Sequence, residues 1–206
     1  MNLKLQKLFQ YLRKKGDINA ITNYRPISLL SIISKLFEKL IHKKLYTYFD
    51  DNDIINDNQY GFRPSHSTSH ALINATESLY KALDNDLHTL GIFIDFSKAF
   101  DTVDHVILCS KLENYGVKGN MLKLISNYLS DRDQFVSYGN ISSSKLPLEL
   151  GVPQGSVLGP LLFIIFINDI VNSTKLAKFV LFADDLNLFI THLDRDTVFS
   201  NGKQST

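Results

Sequence analysis

Apolar residues recur along this chain at two spacings, and the switches between them outline its elements. Leu5, Leu8, Phe9 and Leu12 lie at helical intervals, so a helix is expected over residues 2–15, stopped by Gly16-Asp17. Tyr24-Arg25-Pro26 reads as extended, because the residue before a proline avoids helical torsion angles. Residues 31–49 read as an amphipathic helix. Ile32, Ile33, Leu36, Phe37, Leu40, Ile41 and Leu45 form its apolar stripe, with lysines opposite. An Asp/Asn-rich loop over 50–58 and the irregular Gly61-Phe62-Arg63-Pro64 follow, then a helix over about 68–83.

The second half changes period. Gly91-Ile92-Phe93-Ile94 is a continuous apolar run, which predicts a buried strand ending in Asp95. Asp104 is placed to cap a helix running to Tyr115 and closed by Gly116. Another helix is expected over about 120–129. Residues 135–138 and 141–150 read as strands joined at Gly139-Asn140. After a loop over 151–155, Ser156 opens an apolar helix reaching about Ile170. Residues 179–183 and 186–190 are two strands with Asp184-Asp185 between them, a hairpin signal. Strands and helices mix without a regular βαβ repeat, so the expected class is α+β.

Composition narrows the setting. The chain has 206 residues, 44% of them apolar and 21% charged, enough for a substantial core. A single cysteine, Cys109, excludes an intramolecular disulfide and a Cys-based zinc site. A reducing, intracellular compartment, nucleus or cytoplasm, is the expectation. The longest uncharged apolar run, Val157 to Ile167, is too short to span a bilayer, and no signal peptide or membrane partner is expected. Charge is uneven: residues 1–49 carry ten Lys/Arg against Asp17 and Glu38, whereas the remainder is acidic. A basic lobe joined to an acidic one suits a polyanion grip beside a carboxylate centre, and equally a lysine-rich solvated helix face.

The carboxylates carry the candidate chemistry. Asp95 ends an apolar strand and Asp184-Asp185 tip an apolar hairpin. Buried carboxylates are costly unless paired with cations or bound to metal. Adjacent strands would bring Asp95 and Asp184 together, and hard oxygen ligands select Mg²⁺ or Mn²⁺. Aspartate is also an ordinary turn former, so both readings stay open at this level.

Five segments in order resemble the reverse transcriptases of non-LTR retrotransposons of the LINE and jockey type. They are Asn23-Tyr24-Arg25-Pro26-Ile27-Ser28-Leu29-Leu30, Asn58-Gln59-Tyr60-Gly61-Phe62-Arg63, the run Phe93 to His105 (FIDFSKAFDTVDH), the run Gly151 to Pro160 (GVPQGSVLGP), and Phe182-Ala183-Asp184-Asp185. The resemblance covers about residues 14–192. It implies a right-hand polymerase fold with an antiparallel catalytic sheet: fingers at 1–90, palm at 91–192, an unmatched tail at 193–206, and the thumb and an endonuclease region missing.

The same resemblance implies an RNA-directed DNA polymerase working on an RNA or DNA template with primer and dNTPs, by two-metal nucleotidyl transfer. Asp95, Asp184 and the main-chain carbonyl of Phe96 would hold two Mg²⁺ ions, or Mn²⁺, with Asp185 beside them. Arg25, Lys15, Gln154 and Gly155 would bind the nucleotide, and Arg63 the template. Phe100 would lie under the sugar and exclude a 2′-hydroxyl. The rival implications are an inactive nucleic-acid-binding remnant and a group II intron-type maturase fragment. One departure is Leu186, where the family usually has threonine.

Overall fold

The computed structural model describes residues 5–12, 24–138 and 140–204. Their elements, in chain order, begin with β1 (Leu5–Leu12), β2 (Tyr24–Leu29), α1 (Ile32–Asp51), α2 (Thr68–Asp84) and β3 (His88–Asp95). After a 3₁₀ turn at Ala99–Asp101 come α3 (His105–Asn114), α4 (Gly119–Leu129), β4 (Arg132–Tyr138), β5 (Ile141–Ser142), β6 (Leu146–Leu148) and α5 (Leu158–Phe166). A second 3₁₀ turn at Asn168–Asn172 precedes β7 (Lys178–Phe182), β8 (Asp185–His192) and α6 (Arg195–Gln204). The class is α+β, as the pattern predicts. The chain forms two compact units: Met1–Asn52 with Lys98–Phe166, and Asp53–Ser97 with Ile167–Thr206. No helix of the described residues is long and apolar enough to cross a membrane.

The first unit contains a sheet ordered β2-β1-β4-β5, with β6 also paired to β4. β1 runs antiparallel to β2 and parallel to β4, with Lys7 opposite Leu29 on one side and Phe135 on the other. The helix expected over residues 2–15 is therefore a strand wherever the segment is described. Backbone pairing on both edges outweighs a four-residue apolar spacing that also fits an extended chain. The strand expected over 141–150 is two short pieces. Ser143 interrupts it, donating its N–H to the Val136 carbonyl at 2.9 Å and accepting from the Val136 N–H through Oγ at 3.0 Å.

α1 begins where expected, with the Ser31 hydroxyl accepting from the Ser34 N–H. Its orientation reverses the expectation. Ile32 is 87% exposed, and Ile33, Leu36, Phe37 and Leu40 are exposed too, while Ser34 and Glu38 are buried with Leu45 and Phe49. The reason is the Glu38 side chain, 1% exposed. Its Oε2 accepts from the N–H groups of Val157 at 2.6 Å and Leu158 at 3.3 Å, and its Oε1 accepts from the Ser34 hydroxyl at 3.3 Å. A helix start leaves backbone donors unpaired and favours negative charge, so this carboxylate caps α5 from another helix. Behind it, the buried Arg132 guanidinium stacks 4.9 Å from the Tyr128 ring centroid and donates to the Tyr128 carbonyl at 3.1 Å. Burial lowers the Arg132 pKa, which Tyr128 and Glu38 oppose. Burial and then the Glu38 charge push the Tyr128 phenol well above its usual range.

In the second unit β3, β8 and β7 form an antiparallel sheet in that order. The run 91–94 was expected to be buried on both faces. β3 instead alternates, and Phe93 is 73% exposed. β3 is the edge strand here, and an antiparallel sheet needs only one face covered. Ile92 and Ile94 pack with Phe179, Leu181, Leu186 and Leu188 on that covered face. The apolar helix expected up to about Ile170 stops at Phe166, and a 3₁₀ turn follows. There the Asn168 amide leaves helical service, accepting from the Asn56 N–H at 2.9 Å and donating to the Ile54 carbonyl at 2.7 Å.

Replacing Glu38 by alanine strands the two α5 donors and removes the counter-charge of buried Arg132. Stability should fall by about 3–5 kcal/mol in denaturant titration. Glu38→Gln, which keeps an acceptor oxygen, should lose less. Equal losses would show that a neutral acceptor at this position contributes nothing, and no loss in either variant would show that Glu38 does not cap α5.

Candidate active site

The carboxylates are set by strand register. β3 pairs antiparallel with β8 so that Asp95 stands directly opposite Asp185, Phe93 opposite Asn187 and Gly91 opposite Phe189. On the far side of β8, Phe182 pairs with the same Asp185, leaving Ala183 and Asp184 as the hairpin turn. Asp95 and Asp185 are exposed and Asp184 is half-buried. No basic side chain forms an ion pair with any of the three among the described residues. Like charges directly opposite each other in an antiparallel pair repel. Such a set of hard oxygen donors fits a divalent cation, although no three metal-ligating side chains among the described residues already enclose one point.

The strand residue next to each of the paired aspartates, Ile94 beside Asp95 and Leu186 beside Asp185, faces the other way. Leu186, standing where threonine is usual, is 3% exposed and packs between Ile94 and Leu181 in the covered core. An apolar side chain suits that position, and the substitution leaves the carboxylate face untouched. On the Asp95 face, α2 covers the sheet partly. A cavity of about 450 Å³ remains, lined by Phe93, Asp95, Asp185 and Asn187 on the sheet and by Thr68 and Leu72 on the helix. Phe96, next to Asp95, tucks its ring against the covered core.

The hairpin turn is held from outside. Ala183 has a φ of 57°, a left-handed conformation that a residue with a Cβ rarely adopts. The segment 58–61 lies along β7. Tyr60 N–H donates to the Leu181 carbonyl and Leu181 N–H to the Asn58 carbonyl, both at 2.8 Å. Gln59, 3% exposed, accepts through Oε1 from the N–H of Ala183 at 3.0 Å and of Gly61 at 2.7 Å. Its Nε2 reaches the Ala183 carbonyl at 3.5 Å. Arg63, expected at the template, points inward: it donates to the carbonyls of Asn56 at 3.1 Å and Gln59 at 3.4 Å, with Asp57 at 3.7 Å.

The nucleotide-side candidates belong to the first unit. The loop 151–155 is pinned on two sides. Gly151 N–H donates to the Val103 carbonyl and Val152 N–H to the Phe100 carbonyl, while Ser28 N–H on β2 donates to the Gln154 carbonyl, each at 2.8 Å. His105 donates from Nε2 to the Gly151 carbonyl at 2.7 Å. Glycine is required at 151 and 155, whose φ values are 86° and 92°. A Cβ at 151 would lie 2.8 Å from the Asp101 backbone. The Gln154 amide donates to the Asp101 carboxylate at 2.8 Å. Phe100 is half-buried, its ring stacked on Phe163 at 4.5 Å between centroids. Arg25 lies on β2, three residues before Ser28, and its side chain is outside the described residues, as is Lys15 altogether.

Sequence reasoning missed Glu38, Gln59 and Asp101. Glu38 has a signal in hindsight, because Ser34 and Glu38 share a helix face with Leu45 and Phe49. Gln59 has none, since its role depends on a turn more than a hundred residues away.

Comparison with known proteins agrees with these motifs. Residues 12–201 match the family described as Reverse transcriptase (RNA-dependent DNA polymerase), a span that takes in part of the segment beyond 192. The chain is 37% identical over 179 residues to the probable RNA-directed DNA polymerase from transposon BS of Drosophila melanogaster, covering 81% of this chain and 19% of that protein. It is 33% identical over 184 residues to the RNA-directed DNA polymerase from mobile element jockey of the same fly, covering 89% and 20%. The chain thus spans about a fifth of the length of these relatives. Among solved structures, apo telomerase from Candida tropicalis, truncated from its C-terminal domain, superposes with a TM-score of 0.69 at 12% identity over 98% of this chain and 46% of that one. Telomerase from Candida albicans, in complex with a telomeric RNA fragment, gives 0.68 at 13% identity, covering 98% and 39%. The fold is shared with these telomerases.

A methyl group at Gly61 would lie 2.2 Å from the Ala183 nitrogen. Gly61→Ala should therefore cost about 1–3 kcal/mol, the usual range for overpacking, read as a lower thermal midpoint. An unchanged midpoint would mean that the 58–61 segment does not seat tightly on the hairpin.

Proposed function

The chain belongs to the reverse transcriptase (RNA-dependent DNA polymerase) family, and from that premise we propose that it carries the nucleotidyl-transfer centre of a non-LTR retrotransposon polymerase. The observation that carries the reading is the opposition of Asp95 to Asp185, with Asp184 in the adjoining turn and, among the described residues, no basic side chain in an ion pair with them. The substrates are dNTPs and a primer on an RNA or DNA template. In this reading residues 91–192 supply the palm and residues 1–90 the fingers region.

Asp95, Asp184 and the Phe96 carbonyl hold the two ions, Mg²⁺ or Mn²⁺, and Asp185 adds negative charge beside them. When bound, the ions supply activation of the primer 3′-hydroxyl and charge neutralisation at the leaving pyrophosphate. The protein's own residues position the reactants. Arg25 offers a planar donor fork to the triphosphate, with Lys15 assisting. Gly151 and Gly155 let the loop backbone approach the nucleotide closely, and Gln154, held by Asp101, presents its amide towards the nucleotide. Arg63 serves the template indirectly, by bracing the loop 56–59, unless it is released from the carbonyls it now donates to. Phe100, braced by Phe163, selects against a 2′-hydroxyl by bulk.

Two measurements test this. Mn²⁺ binding by the purified chain, followed by electron paramagnetic resonance, should weaken at least about tenfold in Asp95→Asn, as loss of metal-site groups does elsewhere. Primer extension by the unmutated chain should exceed that of an Asp95→Asn, Asp184→Asn double variant. Binding and extension indifferent to both substitutions would rule out the metal centre and leave a nucleic-acid-binding role. In active protein, Phe100→Val should shift discrimination towards ribonucleotides by about 1–3 kcal/mol, the value of a packing contact in a specificity pocket. Activity retained with an unchanged ratio would assign Phe100 to the core alone.

A further inference from the structure

We propose that Gln59 is the positioning residue of the catalytic turn: its buried amide holds Ala183 in the left-handed conformation that fixes where Asp184 projects. The inference rests on the metal-centre reading above and names the residue that shapes it.

Three observations support it independently. Ala183 carries a φ of 57°, which an alanine does not choose unaided. The left-handed conformation is strained for a residue with a Cβ, so something nearby must compensate. Gln59 is placed to do so: its Oε1 accepts from Ala183 N–H at 3.0 Å and its Nε2 reaches the carbonyl of the same residue at 3.5 Å. One side-chain amide thus engages both backbone groups of the strained residue. Finally, Gln59 is itself fixed from every direction. It is 3% exposed, bridges in parallel to Leu181, shares its Oε1 with the Gly61 N–H at 2.7 Å, and has Arg63 donating to its carbonyl. Asn58 is fixed in turn by the Asn56 side chain, which accepts from its N–H and its Nδ2 at 2.9 and 2.8 Å.

The chemical consequence follows from where the turn sits. Asp185 is locked by strand pairing to Asp95. Asp184 is not in the ladder, so its direction is set within the turn, by the torsion angles of Ala183 together with its own. A hairpin joined by two residues can adopt more than one turn type. A turn type other than the present one would swing the Asp184 carboxylate away while leaving the strands paired. Gln59 selects among these, and does so without touching substrate or ion. The surrounding glycine contributes by yielding space: only a residue without a Cβ lets segment 58–61 approach Ala183 this closely.

The test uses the full chain with Gln59→Met, which keeps the volume and loses both polar groups. Amide hydrogen exchange at Ala183 and Gly61 should accelerate at least about tenfold, as for locally opened sites, while amides within β3 and β8 keep their rates. Mn²⁺ affinity should weaken at least about tenfold, the range for groups that orient metal ligands. Gln59→Glu, which retains the acceptor oxygen, should restore protection at both amides. If Gln59→Met does not fold, Gln59→Asn, which withdraws the amide by one methylene, is measured for the same changes. Freed amides with unaltered Mn²⁺ affinity would overturn the positioning role, and so would unaltered amides. Asp95→Asn serves as the control that separates the two readings. If the parent chain binds no Mn²⁺ in an Asp95-dependent way, the metal centre and the part of this proposal that serves it both fail, whatever the exchange rates show.

Discussion

Shifting β3 by one residue against β8 would turn Asp95 and every other side chain of β3 to the opposite face, because side chains alternate with a period of two. In the present register Asp95, Phe93 and Gly91 share a face with Asp185, Asn187 and Phe189, while Ile94 and Ile92 meet Leu186 and Leu188 in the covered core. The apolar face enforces the register, since slipping would expose Ile92 and Ile94 and bury Asp95. The carboxylates are thus placed by the residues between them, not by any attraction of their own. Left alone they repel, and the fold tolerates this because both Asp95 and Asp185 remain exposed.

Sheets place their own residues, but turns and helix starts need help. Both units solve that problem in the same way, with a buried polar side chain reaching in from a distant part of the chain. Glu38 satisfies the first donors of α5, and Gln59 satisfies both backbone groups of Ala183. A buried backbone donor without a partner costs about 1–3 kcal/mol, so each side chain stabilises the one loop geometry it fits. The loops so fixed each adjoin candidate site residues of their own unit: 151–156 leading into α5, and 183–184 between β7 and β8. Glu38 exacts a visible concession for this, since turning its face inward leaves Ile32, Ile33, Leu36, Phe37 and Leu40 of the same helix exposed.

The departure at Leu186 is explained by the same alternation. Position 186 faces the core and position 185 faces the carboxylates, so leucine and threonine compete there on packing alone. Leucine buries more apolar surface against Ile94 and Leu181. The family match spans this position.

Much of the local structure was legible because it depends on neighbours in sequence. The start of a helix at about residue 31, Asp104 as a cap, the hairpin around Asp184, and the strand ending in Asp95 all follow from spacing and side-chain chemistry over a few residues. The order of the five motifs was enough to point to the family. What the sequence could not determine was decided by partners far along the chain. Residues 5–12 became a strand because β2 and β4 flank them. α1 turned Ile32, Ile33, Leu36, Phe37 and Leu40 of its apolar stripe outward, while Leu45 stayed buried, because Glu38 is needed at α5, 119 residues on. Arg63 turned inward because the carbonyls of Asn56 and Gln59 were available to it. Periodicity reports which surface could be buried. Which surface is buried depends on hydrogen-bond donors and acceptors that only the tertiary fold brings within 3 Å or so of each other.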